Sequence, residues 1–257
     1  LQNNWVLEFL EIPHPDGKGS TLWFGTNGGL HRMENGVVTS FTTKDGLPSD
    51  LIVSLLHDRR DGAIWIGTRG FGLSRFHNGT FTTYTTKDGL SNNFVHGLVQ
   101  DATGAIWIGT DGGGLNRLQN GTFTTLTTKD GLSNNNIWAL CFDSTADPKN
   151  PPLWIGTNGG GLSKLHNGVF THYTSKNGLS NDIVTSLWKD KRGALWIGTW
   201  GGGVNRLYND TITSFTTKDG LSHDVVYAVM GDREGALWVG TQGGGLNRFQ
   251  NSSFTSI

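Results

Sequence analysis

One motif recurs six times and fixes what this chain can become. Its clearest copy runs from Ala105 to Gly121, Ala-Ile-Trp-Ile-Gly-Thr-Asp-Gly-Gly-Gly-Leu-Asn-Arg-Leu-Gln-Asn-Gly. The copies carry Trp23, Trp65, Trp107, Trp154, Trp196 and Trp238, spaced 42, 42, 47, 42 and 42 residues apart. A fixed period of roughly 20–50 residues marks a solenoid, propeller or array of identical supersecondary units. Helical solenoids are excluded, because Gly or Thr interrupts every candidate helix and no segment shows the helical period.

Read within one copy, the pattern is four short strands. Asn93 to Asp101 is apolar and bounded by turn residues, which predicts strand a. Asp101-Ala-Thr-Gly104 then has Asp and Gly at the two ends of a turn, as type I turns favour. Ala105–Thr110 is nearly all apolar, which predicts strand b covered on both faces. Gly112 to Gly114 breaks it, and Leu115–Gln119 is strand c. Asn120-Gly121 is a strong hairpin signal, since both residues tolerate positive φ. Thr122–Thr128 is strand d, whose threonines suit an outer strand with one wet side. Such a meander cannot bury its own tryptophan face; neighbouring repeats packed around an axis can. The expected fold is therefore all-β, a β-propeller of six blades of four antiparallel strands.

The repeats predict one domain over 1–257, with blades at about 1–46, 47–89, 90–131, 132–178, 179–220 and 221–257. Blade 1 carries an inserted turn, Pro13 to Gly19, and blade 4 a second, Thr145 to Pro152, which accounts for the 47-residue spacing. Six whole units leave no strand to complete the opposite end's blade, so closure without strand exchange is expected. Excision from a larger ring, or association of copies, are the other routes. A monomer is the expected state.

Bulk properties narrow the function. With 20 basic against 21 acidic residues, the net charge is −1, unlike the basic excess of nucleic-acid binders. No run of about 18 apolar residues exists to span a membrane, and the first residues have no signal-peptide pattern. The sequence begins without Met, which suggests an excised piece or a mature form. Cys141 alone permits neither an intrachain disulfide nor a cysteine metal site, and its apolar neighbours predict a small buried hydrophobe. No metal site and no cofactor are expected.

The string Asp88-Gly-Leu-Ser-Asn-Asn93, with Val95, Leu98 and Asp101, then Ile-Trp-Ile-Gly-Thr and Gly-Leu-x-Arg, resembles the two-component regulator propeller repeat. All six repeats share the resemblance. It implies a periplasmic or extracellular sensor domain of a bacterial hybrid two-component receptor, many of which sense glycan fragments. Full receptors of that family usually carry two propellers of about seven blades, a β-sandwich, a membrane span and a kinase, none of which is present here. Because propellers host unrelated activities, the fold alone does not fix the function.

In an antiparallel meander the d-to-a and b-to-c loops emerge at one edge, here called the upper edge. One column there varies between fixed Thr and Gly neighbours: Asn27, Arg69, Asp111, Asn158, Trp200 and Gln242. Amides and charges hydrogen-bond hydroxyls, Arg can grip a carboxylate, and Trp offers an apolar face. The plain alternative is solvated loop tips that have drifted, which fits an exposed Trp least well. Phe71 stands where most copies have the middle glycine of the triplet. A second column, Asn4, Asp50, Asn93, Asn135, Asp182 and Asp224 with His223 beside it, reads first as turn-forming Asn and Asp and only secondarily as a ligand or Ca²⁺ site.

His96, Trp138 and Tyr227 share a strand-a column with Leu7, Val53 and Thr185, and packing is their default role. The recurrent Arg32, Arg75, Arg117, Lys164, Arg206 and Arg248 read as structural ion pairs or a solvated face. The glycine triplets lack the strand-to-helix context of a phosphate loop.

These features predict a noncatalytic binding or sensor propeller taking an oligosaccharide-like or other polar ligand at the upper edge. Ligand-binding candidates are Asn27, Arg69, Asp111, Asn158, Trp200, Gln242, Phe71, His223 and Asp224. The alternative is a protein-interaction scaffold. An enzyme such as a lyase would need a titratable pair within reach, and His223 with Asp224 or Asp182 is the sole candidate.

Overall fold

The computed structural model describes residues 5–143 and 145–257. All long elements are strands, gathered into six four-stranded antiparallel sheets, each made from four consecutive strands. No described sheet borrows a strand from elsewhere in the chain. The chain is an all-β propeller chain of six blades, and it packs as two compact units, Leu1–Thr125 and Leu126–Ile257.

The first unit contains blade 1 (strands Val6–Pro13, Ser20–Thr26, Gly29–Glu34, Val37–Phe41) and blade 2 (Ile52–His57, Ile64–Thr68, Leu73–His77, Thr80–Tyr84). It also holds blade 3 (Val95–Gln100, Ile106–Thr110, Gly114–Gln119, Thr122–Leu126), up to the last residue of its outer strand. The second unit contains blade 4 (Ile137–Phe142, Leu153–Thr157, Leu162–His166, Val169–Tyr173) and blade 5 (Val184–Lys189, Leu195–Thr199, Val204–Tyr208, Thr211–Phe215). Blade 6 (Val226–Gly231, Leu237–Thr241, Gly245–Gln250, Ser253–Ser256) completes it.

Strand b behaves as its apolar sequence requires: Ile64–Thr68 is buried at every residue. Strand d alternates between exposed and half-buried, as its threonines suggest. The c-to-d turn has Asn120 at φ 49° and Gly121 at φ 79°. Blade 5 achieves the same turn with Asn209 and Asp210, at φ 48° and 57°.

Strands a and d are shorter than the apolar run predicts. Strand d of blade 3 ends at Leu126, because Thr127 caps a 3-10 turn over Thr128–Asp130 and Asp130 returns the bond to its N–H. Strand a begins only at Val95, because the Asn92 side chain turns the chain by accepting the Phe94 N–H at 2.8 Å. This Thr-x-x-Asp capping box recurs in the Lys-Asp-Gly loops.

In blades 2 to 6 the repeat tryptophan sits between a carboxylate and a cation. The indole N–H of Trp65, Trp107, Trp196 and Trp238 donates to Asp58, Asp101, Asp190 and Asp232 at 2.9–3.0 Å. The strand-c cation lies over the ring, from Lys164 at 5.2 Å to Arg32 at 5.9 Å. The recurrent Arg column is thus structural, a cation–π layer. Blades then pack in series: Trp23 and Leu30 of blade 1 are buried with Ile52, Ile64 and Ile66 of blade 2, and Trp196 and Val204 of blade 5 with Val226 and Val239 of blade 6. Strand b needs glycine after Trp-x because a Cβ on Gly67 would collide with Ser54 of its own blade and Val95 of the next.

Candidate functional site

The upper edge is built from two loops locked together. The second column supplies the lock. The side chains of Asp50, Asn93, Asn135, Asp182 and Asp224 accept the backbone N–H of Thr43, Thr86, Thr128, Ser175 and Thr217 at 2.7–2.9 Å. The carbonyls of Asp50, Asn93, Asp182 and Asp224 accept from the glycine loop of the preceding blade: Asn93 from Gly70 and Gly72 at 3.2 and 2.8 Å, Asp224 from Gly201 and Gly203 at 3.2 and 2.8 Å. One residue thus closes a d-to-a loop with its side chain and clasps the preceding blade's b-to-c loop with its backbone. Asn4 lies outside the described residues.

His223 belongs to the column just before. Asn92, Asn134 and Asn181 each accept the N–H two residues on, at 2.8 Å. His223 does the same through Nδ1, which accepts from Val225 at 3.0 Å. In the neutral ring this leaves the proton on Nε2 of an exposed imidazole. Asp224 has one carboxylate oxygen on the Thr217 N–H at 2.7 Å and the other 3.3 Å from the Thr217 hydroxyl.

The variable column is held by its main chain alone. Asp111, Asn158, Trp200 and Gln242 donate their N–H to Phe94, Asn136, Ile183 and Val225 at 2.9–3.1 Å, and Arg69 to Leu51 at 3.4 Å. Backbone pairing fixes where each residue stands whatever its side chain is, so chemistry can change without disturbing the loop. Asn27, Arg69, Trp200 and Gln242 are exposed; Asp111 and Asn158 are half-buried.

In the second unit this brings an aromatic patch together. Trp200 of blade 5 bridges to Val225 of blade 6, which sets its indole 5.6 Å from the Tyr227 ring at 70°. The two rings are 40% and 48% exposed. Edge-to-face geometry is a favoured aromatic arrangement, so each ring braces the other in solvent. His223, Asp224 and Gln242 flank the pair through the bonds to Val225 and Gly201.

In the first unit the same positions carry charge. Arg69 bridges to Phe94, and half-buried His96 senses both Arg69 and Asp111. Burial first, then Arg69, push the His96 imidazole below its ordinary value, while Asp111 opposes them. Phe71 is 55% exposed. In blade 2 the serine that the middle glycine normally faces, such as Ser91 opposite Gly113, is replaced by Pro48.

The sequence reading assigned Tyr227 to packing, and the structure puts it in solvent beside Trp200. The available signal was that Trp200 and Tyr227 stand on successive blades at the positions that face across the upper edge. Among the described residues, no group of three or more His, Cys, Asp or Glu side chains is placed to hold a metal ion. No described helix is long and apolar enough to cross a membrane.

The family described as Two component regulator propeller matches residues 89–112 and 220–243. Each match spans strands a and b of a blade. No curated protein matches the sequence. Among solved structures, the extracellular domain of a hybrid two component system from B. thetaiotaomicron is similar at 23% identity and a TM-score of 0.81, covering 97% of this chain and 34% of that one. Virginiamycin B lyase from Staphylococcus aureus, in a catalytically inactive form with quinupristin, is similar at 17% identity and a TM-score of 0.74, covering 97% and 88%. PorZ, a bacterial surface component of the type-IX secretion system of Porphyromonas gingivalis, is similar at 16% identity and a TM-score of 0.71, covering 95% and 38%. The chain spans about a third of the length of that extracellular domain. At these identities the likeness establishes the propeller fold.

Proposed function

We propose that this chain is the ligand-recognition part of a periplasmic or extracellular sensor, and that it binds a hydroxylated, oligosaccharide-like ligand without transforming it. The carrying observation is the solvent-exposed Trp200–Tyr227 pair on an edge whose neighbours are amide and imidazole donors. A sugar ring presents an apolar face to such aromatics and hydroxyls to the Gln242 amide and the His223 Nε2–H. In the first unit Asn27 and Phe71 offer an amide and an apolar ring, Asp111 can accept from hydroxyls, and Arg69 suits an acidic substituent. The repeat family and the sensor-domain fold likeness support the sensor assignment. Binding is favoured over lyase chemistry because His223 Nδ1 and both Asp224 oxygens hold loop structure.

A glycan array probed with wild type, Trp200→Ala and Arg69→Ala tests this reading. Loss of an aromatic anchor at a hot spot costs about 2 kcal/mol, so Trp200→Ala should weaken the bound glycan about 30-fold. Absence of any bound glycan, or binding indifferent to both substitutions, overturns it. Turnover of the bound sugar moves the assignment to an enzyme. A protein-docking scaffold is the second reading, favoured by Val6 and Phe9 of blade 1, 48% and 54% exposed; it predicts an empty array.

A further inference from the structure

The lower edge, where the a-to-b and c-to-d turns emerge, carries a cleft that none of the upper-edge chemistry uses. In the second unit it opens between blades 5 and 6 with a volume of about 520 Å³, within the 300–1,000 Å³ range of small-molecule sites. Its walls include Trp188, Trp196, Phe215 and Phe249. Its mouth carries Lys191 and Arg192, and Arg206 lies inside.

Arg206 is the unusual residue. In blades 1, 2, 3 and 6 the strand-c arginine lies over its tryptophan and also meets a carboxylate: Arg32 with Glu34 at 3.8 Å, Arg75 with Asp61, Arg117 with Asp101 at 3.3 Å, and Arg248 with Glu234 at 3.4 Å. In blade 5 the turn position that holds Glu234 in blade 6 holds Arg192, a like charge. The nearby Asp190 is taken by the Trp196 indole at 3.0 Å and the Arg192 and Ala194 N–H groups at 2.9 and 2.8 Å. Among the described residues Arg206 meets no carboxylate and keeps ring contacts, 5.8 Å to Trp196 and 5.0 Å to Tyr208; its buried Nε has no hydrogen-bond partner, as in Arg32 and Arg248. Contacts to ring faces leave a guanidinium's N–H donors unused, and those donors match a carboxylate or sulfate in a fork. The remaining acids of the cleft are committed, Asp232 to the Trp238 indole at 2.9 Å and Glu234 to Arg248.

We propose that this lower cleft binds a small oxyanion carried on a ring with an apolar face, with the carboxylate or sulfate on Arg206 and Arg192 and the ring against Trp196 and Phe249. The first unit contains its counterpart between blades 1 and 2, about 420 Å³, lined by Trp23, Arg32, Phe41 and Phe76. There Glu34 already occupies the arginine, so that cleft should reject an anion. The site is independent of the upper edge.

Isothermal titration of the whole chain with benzoate and glucuronate, and with benzyl alcohol and glucose as uncharged counterparts, tests it. At least one acid should saturate, its uncharged counterpart binding about 10-fold more weakly or worse. Arg206→Gln should weaken that acid about 10- to 100-fold, and Arg32→Gln should leave it unchanged. Which acid binds distinguishes an aromatic acid from a sugar acid. If Arg206→Gln fails to fold, Arg192→Gln on the exposed turn decides, with several-fold weakening expected. Failure of both acids to saturate, or saturation unaltered in Arg206→Gln and Arg192→Gln, overturns the proposal.

Discussion

Blades 2 and 3 of the first unit and blades 5 and 6 of the second meet in the same way at the upper edge. Arg69, Phe94, His96 and Asp111 occupy the repeat positions of Trp200, Val225, Tyr227 and Gln242. The clasp beneath is unchanged, two glycine N–H groups on the carbonyl of Asn93 in one and of Asp224 in the other. Where the first unit gathers an arginine, a histidine and an aspartate, the second sets two aromatic rings edge to face at 5.6 Å and adds an amide. The loop shape is therefore carried by main chain, glycines and the Asp or Asn lock, while side-chain identity is left to one column and its strand-a neighbour. Side-chain chemistry can change in that pair while the backbone pairing of the loops stays the same.

The two units also differ beneath the sheets, and there the difference is energetic. Asp143 of blade 4 meets Lys189 of blade 5 at 2.8 Å, with the two side chains 11% and 8% exposed. The equivalent link in the first unit joins Asp58 of blade 2 to the amide of Gln100 in blade 3 at 2.6 Å. One joint is a buried ion pair and the other a buried charge on a neutral donor. Removing one partner of a buried pair strands the other, so Asp143→Asn should cost about 3–4 kcal/mol. Urea unfolding of the two variants side by side checks this. An Asp143→Asn cost no larger than that of Asp58→Asn would show that the ion pair adds nothing to the joint.

Asp58→Asn is the smaller change. Its carboxylate is fully buried and accepts from Arg60 at 2.9 Å and the Trp65 indole at 3.0 Å as well as Gln100. Burial opposes ionisation, but these bonds outweigh it and hold the carboxyl well below the usual carboxylate range. Arg60 is half exposed, and Asn can keep part of the network, so a loss of about 1–2 kcal/mol is expected. The folded-state value lies below the unfolded one, near 4. The Asp58 contribution is then fully present above about pH 4 and disappears as pH falls through the folded-state value. Wild type should lose stability on acidification below about pH 4, and Asp58→Asn should lose less over the same range. Parallel slopes in the two proteins would remove Asp58 from the account.

The strand order, the wet outer strand and the Asn-Gly turns were legible from spacing because each follows from residues close in sequence. Val95 shows where that reasoning stops. The apolar run predicts a strand from Asn93, but Asn92 and Asn93 spend their side chains on turns, and a polar side chain that bonds backbone ends a strand that hydrophobicity alone would extend. The second column was legible as turn-forming Asp and Asn; its clasp on the preceding blade was not, since contacts some twenty residues apart depend on how blades stack. Likewise, the arginine column reads as structural in every copy. The exception at Arg206 emerges only when Arg192 is seen to stand where blade 6 has Glu234.

The smallest expected effect probes the upper-edge comparison most finely. His223 does the turn-forming work that Asn92, Asn134 and Asn181 do elsewhere, through Nδ1 instead of an amide oxygen. His223→Asn should therefore preserve the turn and change stability by no more than about 0.5 kcal/mol. What the substitution removes is the outward Nε2–H beside Trp200 and Tyr227. If the imidazole donates to a ligand hydroxyl, affinity for the bound glycan should fall by about fivefold, the worth of one neutral hydrogen bond of about 1 kcal/mol. His223→Ala should lose both, destabilising by about 1 kcal/mol as loss of a turn-capping acceptor does. Equal affinity in wild type and His223→Asn, with the expected stability ranking, would place the histidine with its three asparagine sisters as a turn residue and leave recognition to the aromatic pair.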